Sequence, residues 1–162
     1  MGTRIAVLAD THLRGGRGLP EPCAAAIRAA DAVIHAGDFV TEEALAEIQS
    51  IGPPLSAVHG NVDEPALRQR LPGELEIEVE GVRIAVVHDA GRRSGRVERM
   101  RALFPQAGCV IFGHTHQPEH VRAGGFQLFN PGSPTQRRRA SFRAMGFLDI
   151  GRRGARFSHL RL

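Results

Sequence analysis

The sequence predicts an α/β fold, with α+β segregation of its parts, in which two mixed β-sheets pack together and helices cover them. In the first half, short β-branched apolar runs alternate with helical segments, which is typical of a parallel sheet buried on both faces. In the second half, apolar runs separated by Gly-containing turns are typical of antiparallel strands, and a single helix is predicted. Neither half can bury its apolar faces alone, so we expect the two sheets to share a core.

The first half is predicted as β-α-β-α-β followed by a short helix. Its apolar strands are residues 4–9, 32–36 and 55–59. A Gly-rich loop at 14–18 precedes the first helix, which is predicted at 22–30. Thr41 is a good N-cap for a second helix, since Glu42 and Glu43 then lie in its first turn and suit the helix dipole. Asp63 is expected to cap a third helix that runs to about residue 70.

The second half begins with residues 74–80, which alternate between Glu and an aliphatic residue and predict a half-exposed strand. Strands are also predicted at 82–87 and 109–112, with hairpins around 124–125 and 151–154. Between them Ser94 is expected to cap a helix with a 3.6-residue apolar period. The apolar face of that helix is predicted to contain Val97, Met100, Leu103 and Phe104.

Composition is typical of one globular domain, which we expect to span residues 1–162. No apolar run approaches the roughly 20 residues of a membrane span, and the N-terminus reads as a strand rather than a secretory signal. Cys23 and Cys109 lie far apart in apolar surroundings, which predicts two reduced, buried thiols. These observations together predict a cytoplasmic protein with no membrane partner.

Charge does not indicate a nucleic-acid partner. The net charge is +4 and all 21 basic residues are Arg, a balance that favours anionic substrates. Aromatic residues make up only 5% of the chain, with no Trp or Tyr on which bases could stack. We therefore expect a small anionic substrate rather than DNA or RNA.

Residues able to bind metal follow five separate predicted strands, where ligands bind in α/β sheets. They are Asp10 and His12, Asp38, Asn61, His88, and His114 with His116. Taken singly, Asp10, Asp38 and Asn61 could be turn formers or helix caps, and His12 and His116 could be surface histidines. That explanation has to be repeated at every strand end, and it leaves Gly113-His114-Thr115-His116 unexplained. We therefore interpret the seven as one metal site.

The predicted ligand set is two carboxylates, one amide and four imidazoles. Mixed nitrogen and oxygen ligation suits Mn, Fe, Co, Ni or Zn and disfavours all-oxygen Ca or Mg sites. Seven side chains exceed one coordination shell but fit two divalent ions, which can hold both the attacking and the leaving oxygen of a phosphoryl displacement. We expect manganese first, with nickel, iron, cobalt or zinc as alternatives.

The sequence resembles the calcineurin-like metallophosphoesterase family, and within it the small YfcE-like phosphodiesterases of bacteria and archaea. The resemblance covers nearly the whole chain and rests on motifs in a fixed order: Asp10-Thr11-His12, Gly37-Asp38, Gly60-Asn61-Val62-Asp63, His88, Gly113-His114-Thr115-His116 and Asn130-Pro131-Gly132-Ser133. It implies a four-layer αββα sandwich. It also implies a phosphodiesterase that hydrolyses phosphate esters by in-line attack of a water between two divalent ions.

The resemblance also implies a role for each ligand. Asp10, His12 and His116 would hold the first ion, Asp38 would bridge, and the second ion would be held by Asn61, His88 and His114. Asp38, Asn61 and His114 are also the predicted catalytic residues. Asp63, Asp89 and Asn130 are expected to support the ligands from outside.

Two departures from the family pattern affect these expectations. Where the wider family has a His that protonates the leaving group, this chain has Val62, so slow cleavage of poor leaving groups is predicted. His59 could substitute, although a structural role is the stronger expectation. Asp89 follows His88 where relatives have Gly-His, and its role as a ligand support or a turn residue stays open.

Other polar residues are assigned structural roles. His35 is expected to be a satisfied core histidine, and His120 and His159 to be surface residues. Asn130 to Ser133 is expected to brace the Gly-His-x-His loop, and the run at 137–139 to be a solvated loop that could steer anions.

Two other functions compete with the phosphodiesterase prediction. One is a non-catalytic interaction module, because the same family fold serves as a scaffold subunit of the retromer complex. The other is a nuclease, ranked lower because no DNA-gripping segment is evident. The natural substrate cannot be read from the motifs, and a homodimer or higher homo-oligomer is expected only as the commonest default.

Overall fold

The computed structural model describes residues 2–162, which form ten strands and four helices. The strands are β1 Thr3–Leu8, β2 Ala32–His35, β3 Leu55–Ala57, β4 Glu74–Val79, β5 Val82–Val87, β6 Cys109–Ile111, β7 Glu119–Ala123, β8 Phe126–Asn130, β9 Ala144–Gly151 and β10 Gly154–Arg161. The helices are α1 Glu21–Arg28, α2 Glu42–Ser50, α3 Pro65–Arg70 and α4 Arg96–Leu103. None of these helices has the length and apolarity that a bilayer crossing requires.

Two five-stranded mixed sheets form the centre of the molecule. The first has the order β10-β9-β1-β2-β3, in which β1, β2 and β3 are parallel and β9 and β10 are antiparallel additions. The second has the order β4-β5-β6-β8-β7, in which β5, β6 and β8 are parallel. The predicted α/β fold with two mixed sheets is confirmed.

Three apolar clusters define four layers. Alternate residues of β1 explain the arrangement, since Ile5 and Val7 face the second sheet while Ala6 and Leu8 face the helices. The helix side of the first sheet is covered by α1, α2 and α3, and the outer face of the second sheet is covered by α4. The central strands β1, β2, β5 and β6 are thus buried on both faces over most of their length, which accounts for the continuous apolar runs in the sequence.

Several local expectations are confirmed. The Thr41 side chain accepts a hydrogen bond from the amide of Ala44 at 3.2 Å and caps α2. β4 alternates between exposed and half-buried residues along its whole length. The hairpins β7–β8 and β9–β10 turn at the predicted glycines. Cys23 and Cys109 are buried free thiols, and burial raises the pKa of each to about 12.

Three local expectations are wrong. Helix α4 begins after Gly95 without a side-chain cap from Ser94, and Leu103 is 47% exposed because it lies at the end of the helix, beyond the apolar cluster. Helix α3 is preceded by Glu64 and is not capped by Asp63, whose carboxylate is engaged elsewhere. The second half is also less antiparallel than expected, because β5, β6 and β8 are joined by crossovers rather than by hairpins.

Candidate metal centre

All seven predicted ligand residues lie at one edge of the sandwich. The parallel strands of both sheets end there, so the loops after β1, β2 and β3 face the loops after β5 and β6. Backbone hydrogen bonds join neighbouring loops, from the Asp10 amide to the Gly37 carbonyl at 2.9 Å and from the Gly113 amide to the His88 carbonyl at 2.9 Å. The structure therefore brings together residues that are up to 106 positions apart, from Asp10 to His116.

One group of potential ligand atoms comes from Asp10, His12 and His116. The Asp10 Oδ1 atom lies 3.5 Å from His116 Nε2 and 3.9 Å from His12 Nε2. Both Asp10 and His116 are almost completely buried. Three ligand atoms from two strand ends thus converge on one point inside the protein.

A second group of potential ligand atoms comes from Asp10, Asp38 and His88, and Asn61 and His114 lie beside it. Asp38 Oδ2 lies 3.2 Å from His88 Nε2 and 3.5 Å from His12 Nε2, so this carboxylate stands between the two groups. Asn61 Oδ1 lies 3.0 Å from His88 Nε2 and 3.0 Å from His114 Nδ1. Asn61 is exposed and the His114 side chain is 42% exposed, so this group forms the open side of the site.

Four buried polar atoms at the site have no hydrogen-bond partner within residues 2–162. They are both carboxylate oxygens of Asp10, His12 Nε2 and His116 Nε2. Leaving such groups unpaired costs roughly 1–3 kcal/mol each, and more for a charged group, so native proteins rarely do it without a reason. A divalent cation among these atoms would satisfy all four at once. The residues present therefore fit a metal ion, and the imidazole and carboxylate donors suit a transition metal.

Backbone carbonyls orient two of the imidazoles. His88 Nδ1 donates to the Ala36 carbonyl at 2.7 Å, and His116 Nδ1 donates to the Gln136 carbonyl at 2.9 Å. Each bond fixes the ring and directs Nε2 toward the carboxylates, which is the usual arrangement for a histidine that binds metal.

The backbone at the candidate ligands is strained. Five of the seven have positive φ, a region that residues other than Gly seldom adopt. They are Asp10 (53°), His12 (42°), Asp38 (65°), His114 (69°) and His116 (60°). Strained conformations of this kind concentrate at functional sites, where the surrounding structure holds them in place.

Asp63 holds the strained loop after β2 and the loop after β3 together. Its buried carboxylate accepts hydrogen bonds from the amides of Asp38 at 3.1 Å, Val40 at 2.6 Å and Gly60 at 2.7 Å. Val40 has a φ of 96°, unfavourable for a β-branched residue, and its bond to Asp63 helps to maintain that conformation. Asp63 is thus a positioning residue for the loops that carry Asp38 and Asn61.

The Asn130-to-Ser133 segment braces the opposite loops, in agreement with the sequence. Asn130 Nδ2 donates to the Gly113 carbonyl at 3.0 Å and to the Thr115 hydroxyl at 3.1 Å. The Ser133 hydroxyl donates to the Asp10 carbonyl at 2.7 Å. These bonds connect the loop after β8 to the loops after β1 and β6.

A family model described as the calcineurin-like phosphoesterase superfamily domain matches residues 3–153. The chain belongs to this superfamily. A probable metallophosphoesterase from Methanothermobacter thermautotrophicus is 33% identical over 138 residues, which cover 81% of this chain and 77% of that protein. The family predicted from the motif order is confirmed, and membership supports metal-dependent hydrolysis of phosphate esters.

Two solved structures have the same fold as this chain. A structure described as a novel archaeal phosphodiesterase has a TM-score of 0.74 at 19% identity, covering 98% of this chain and 99% of that one. Vps29 from Entamoeba histolytica, solved in complex with Zn²⁺, has a TM-score of 0.75 at 17% identity, covering 98% of this chain and 98% of that one. At these sequence identities the comparison shows only that the fold is shared. The predicted αββα sandwich is therefore confirmed.

Several residues near the calcineurin-like motifs have contacts that define their roles. Asp89 Oδ1 accepts from the Gly91 amide at 2.7 Å, a turn contact, and its Oδ2 lies 3.9 Å from His114 Nε2. The Val62 amide donates to Asp38 Oδ1 at 3.0 Å, so this position contributes its backbone. His59 Nδ1 lies 3.3 Å from the Gly60 carbonyl, and its Nε2 is near Gly73, away from the site. Residues 137–139 are exposed.

His35 is a satisfied core histidine, as predicted. Its ring stacks on Phe39 with centroids 3.7 Å apart, and both nitrogens have partners, the Thr11 hydroxyl at 3.1 Å and the Gly37 amide at 3.1 Å. Burial lowers the pKa of His35 to about 3, with a further contribution from the nearby His88. The ring is therefore neutral and supports the Asp10 and Asp38 loops.

The surface assignment of His120 and His159 is wrong. Both are half-buried, and His159 stacks on Phe129 with centroids 4.5 Å apart while its Nε2 donates to the Asn130 carbonyl at 2.8 Å. His120 Nε2 lies 2.9 Å from Gln127 Oε1. The two histidines face the space between the sheets, which strand alternation alone does not reveal.

The electrostatics of the site favour a charged pair in the absence of metal. Burial opposes ionisation of Asp38, but the hydrogen bond with His88 and the nearby positive charge outweigh it and lower the pKa of Asp38 to about 2. Burial likewise opposes protonation of His88, and the Asp38 and Asp10 carboxylates outweigh it and raise the pKa of His88. Burial lowers the pKa of His116, which therefore presents a neutral ring to Asp10.

Sequence reasoning missed the groups that orient the ligands through the backbone. Neither the Ala36 nor the Gln136 carbonyl has any signal in the sequence, since every residue carries a carbonyl. Thr135, whose hydroxyl donates to the Thr11 carbonyl at 2.7 Å, was also missed, although it follows Asn130 to Ser133 closely. A search for hydroxyl residues just beyond a bracing loop could have found it.

Proposed function

We propose that this protein is a phosphodiesterase that uses two divalent metal ions, with manganese the first candidate. The observation that carries the proposal is the pair of ligand groups that share Asp10, with Asp38 between them, around buried atoms that lack partners. In this assignment Asp10, His12 and His116 would hold the first ion, Asp38 would bridge, and Asn61, His88 and His114 would hold the second ion. When bound, such ions supply positive charge for the phosphate and acidify the attacking water.

The residues at the site have different proposed roles in binding and positioning the substrate. His88 and His116 are oriented by carbonyls, so their Nε2 atoms are positioned before a substrate arrives. His114 and Asn61 lie on the open side, so the phosphate ester would approach past them. Asp38, Asn61 and His114 are proposed to contact the reacting groups, while Asp63 and Asn130 maintain the loops.

Val62 restricts the leaving groups that this site can expel. An aliphatic side chain cannot donate a proton, and His59 is directed toward Gly73. Esters whose leaving group is stable as an anion, such as nitrophenolate, should be cleaved readily, whereas alkyl esters should be slow. The rate should therefore fall steeply as the pKa of the leaving group rises, and a flat dependence across a substrate series would refute this proposal.

The direct test is hydrolysis of bis(p-nitrophenyl) phosphate with Mn²⁺, before and after chelation with EDTA. His114→Ala should lower kcat/KM by more than the roughly 10- to 100-fold cost of losing an outer partner of a metal site. His59→Ala is the matched control, because this histidine is also half-buried and close in sequence to the site but turned away from it. Turnover that survives EDTA, or equal effects of the two substitutions, would contradict the proposal.

A scaffold role is the second candidate, and the structural likeness to Vps29 favours it. The same experiment separates the two functions if Mn²⁺ binding is measured by calorimetry in parallel. Binding without turnover of any mono- or diester would support the scaffold. The seven metal-competent side chains support the enzyme, since a surface used only for docking has no need of buried, unpaired ligand atoms.

Other features of the function stay predictions. We propose a small phosphate ester as the substrate, a cytoplasmic location, and one domain that spans residues 1–162. A homodimer is the default assembly. Size-exclusion chromatography with light scattering would test the assembly state directly.

A further inference from the structure

A cavity of about 660 Å³ opens beside the candidate metal centre. His12 and Gln136 both line it, and both belong to the site, since His12 Nε2 lies 3.5 Å from Asp38 and the Gln136 carbonyl holds His116. Its volume falls within the roughly 300–1,000 Å³ typical of small-molecule sites. A substrate at the metal centre can therefore extend directly into this cavity.

The cavity is strongly cationic. Three arginines line it, Arg14, Arg17 and Arg143, and none of the lining residues is acidic. The ion pairs that arginines form with carboxylates within residues 2–162 all involve other arginines. Three guanidinium groups without a carboxylate partner, beside a site for phosphate, are suited to a further anionic group.

The Gly-rich loop places two of these arginines side by side. The Arg17 amide donates to the Arg14 carbonyl at 3.3 Å, which closes a four-residue turn. Gly15 and Gly16 occupy its central positions with φ of 63° and 72°, the combination that a type I′ turn requires. A Cβ at either position would meet no atom within 4 Å, so glycine is needed there for backbone conformation and not for space. The turn brings the first and last Cα atoms within about 7 Å of each other.

We propose that Arg14, Arg17 and Arg143 bind a second phosphate group of the substrate, so that the preferred substrates are phosphodiesters that carry an additional phosphate. This inference rests on the proposed hydrolase function for the reacting phosphate. It assigns to the Gly-rich loop a role in specificity that the metal ligands do not provide.

Two matched substrates test the proposal. Thymidine 5′-(p-nitrophenyl phosphate) and its 3′-phosphorylated form share the same leaving group and differ only in the second phosphate. We expect the 3′-phosphate to raise kcat/KM about tenfold, the effect of one modest charge-assisted contact. That advantage should shrink at high ionic strength, because the arginines are exposed.

Arginine variants distinguish binding of the second phosphate in this cavity from a general effect of positive charge on the protein. Arg14→Ala and Arg17→Ala should each lower the ratio of the two kcat/KM values toward one. Arg156→Ala is the control. Arg156 lies opposite Asp149 in the register of the β9–β10 hairpin, and Asp149 lies opposite Arg4 near the start of β1, at the end of the strand away from the site. A ratio that falls equally in the control variant would overturn the proposal.

Binding provides a readout that does not depend on catalysis. The metal-free protein should bind thymidine 3′,5′-bisphosphate in calorimetry, and Arg17→Ala should weaken that binding about tenfold. If both substrates are hydrolysed at equal rates, the specificity proposal fails while the hydrolase proposal stands. If neither is hydrolysed but the bisphosphate binds through Arg17, the cavity assignment stands and the hydrolase proposal fails. Absence of binding and of any rate difference overturns the cavity assignment.

Discussion

Replacing Asp63 by Asn should destabilise the protein although the side chain keeps its size. The carboxylate accepts three backbone hydrogen bonds, two at Oδ2 from Asp38 and Gly60 and one at Oδ1 from Val40. The best orientation of an amide keeps its oxygen at the Oδ2 position and turns its NH₂ group toward the Val40 amide. One charge-assisted bond is then lost and a buried donor is left unpaired, which costs about 2–3 kcal/mol.

The assay is thermal unfolding of the metal-free protein in EDTA, so that metal binding does not contribute. For a chain of this size the melting temperature should fall by about 4–12 °C. Asp31→Asn is the matched control, because exposed Asp31 accepts a single bond from the Arg4 amide at 2.8 Å, which the amide oxygen can retain. The control should change stability by less than about 0.5 kcal/mol. Equal effects of the two substitutions would refute the role assigned to Asp63.

Four further outcomes are expected. Gly60→Ala should weaken Mn²⁺ binding and cost about 1–3 kcal/mol, since its Cβ would lie 2.0 Å from Asp38 Oδ1; unchanged affinity in calorimetry would contradict the close approach. Mn²⁺ affinity should rise with pH, because Asp38 and Asp10 raise the pKa of His88 above 6.5 and metal needs the neutral ring; affinity that stays flat from about pH 6 to about pH 8.5 would count against this. Protonated His88 should also contribute to the free energy of unfolding of the metal-free protein. This contribution should be fully present below pH 6.5 and should be lost as the pH rises through the folded-state pKa of His88. Mn²⁺ at 100 times its Kd should stabilise the protein by about 2.7 kcal/mol, seen as a higher melting temperature than in EDTA, and an equal melting temperature would exclude binding at Asp10.

Much of the fold was predictable because its signals are local. The apolar runs at β1, β2 and β6 are continuous since both faces of these strands are covered, and turn residues mark their ends. The clustering of Asp10 with Asp38, which follow the neighbouring parallel strands β1 and β2, was predictable for a related reason. Parallel strands end at the same edge of a sheet, so residues that follow them must be neighbours.

Other features were not predictable because they depend on contacts between distant segments. Asp63 precedes a helix and therefore resembles a cap, yet its carboxylate bonds to amides near residue 40, which local sequence cannot indicate. His159 lies in an alternating strand whose inward face is covered by Phe129 of the other sheet. The positive φ of His12 and His116 also has no local signal, since most histidines have negative φ although His tolerates positive φ better than most residues do.

The candidate ligands are divided between the two halves of the sandwich. Asp10 and Asp38 follow strands of the first sheet, and His88 and His116 follow strands of the second. An ion bound there would act as a non-covalent cross-link between the halves, at the end where the backbone is most strained. Separation of the halves at that end would then require release of the ion. Amide protons in β1 and β5 should accordingly exchange with solvent more slowly, and to a similar extent, once metal is added.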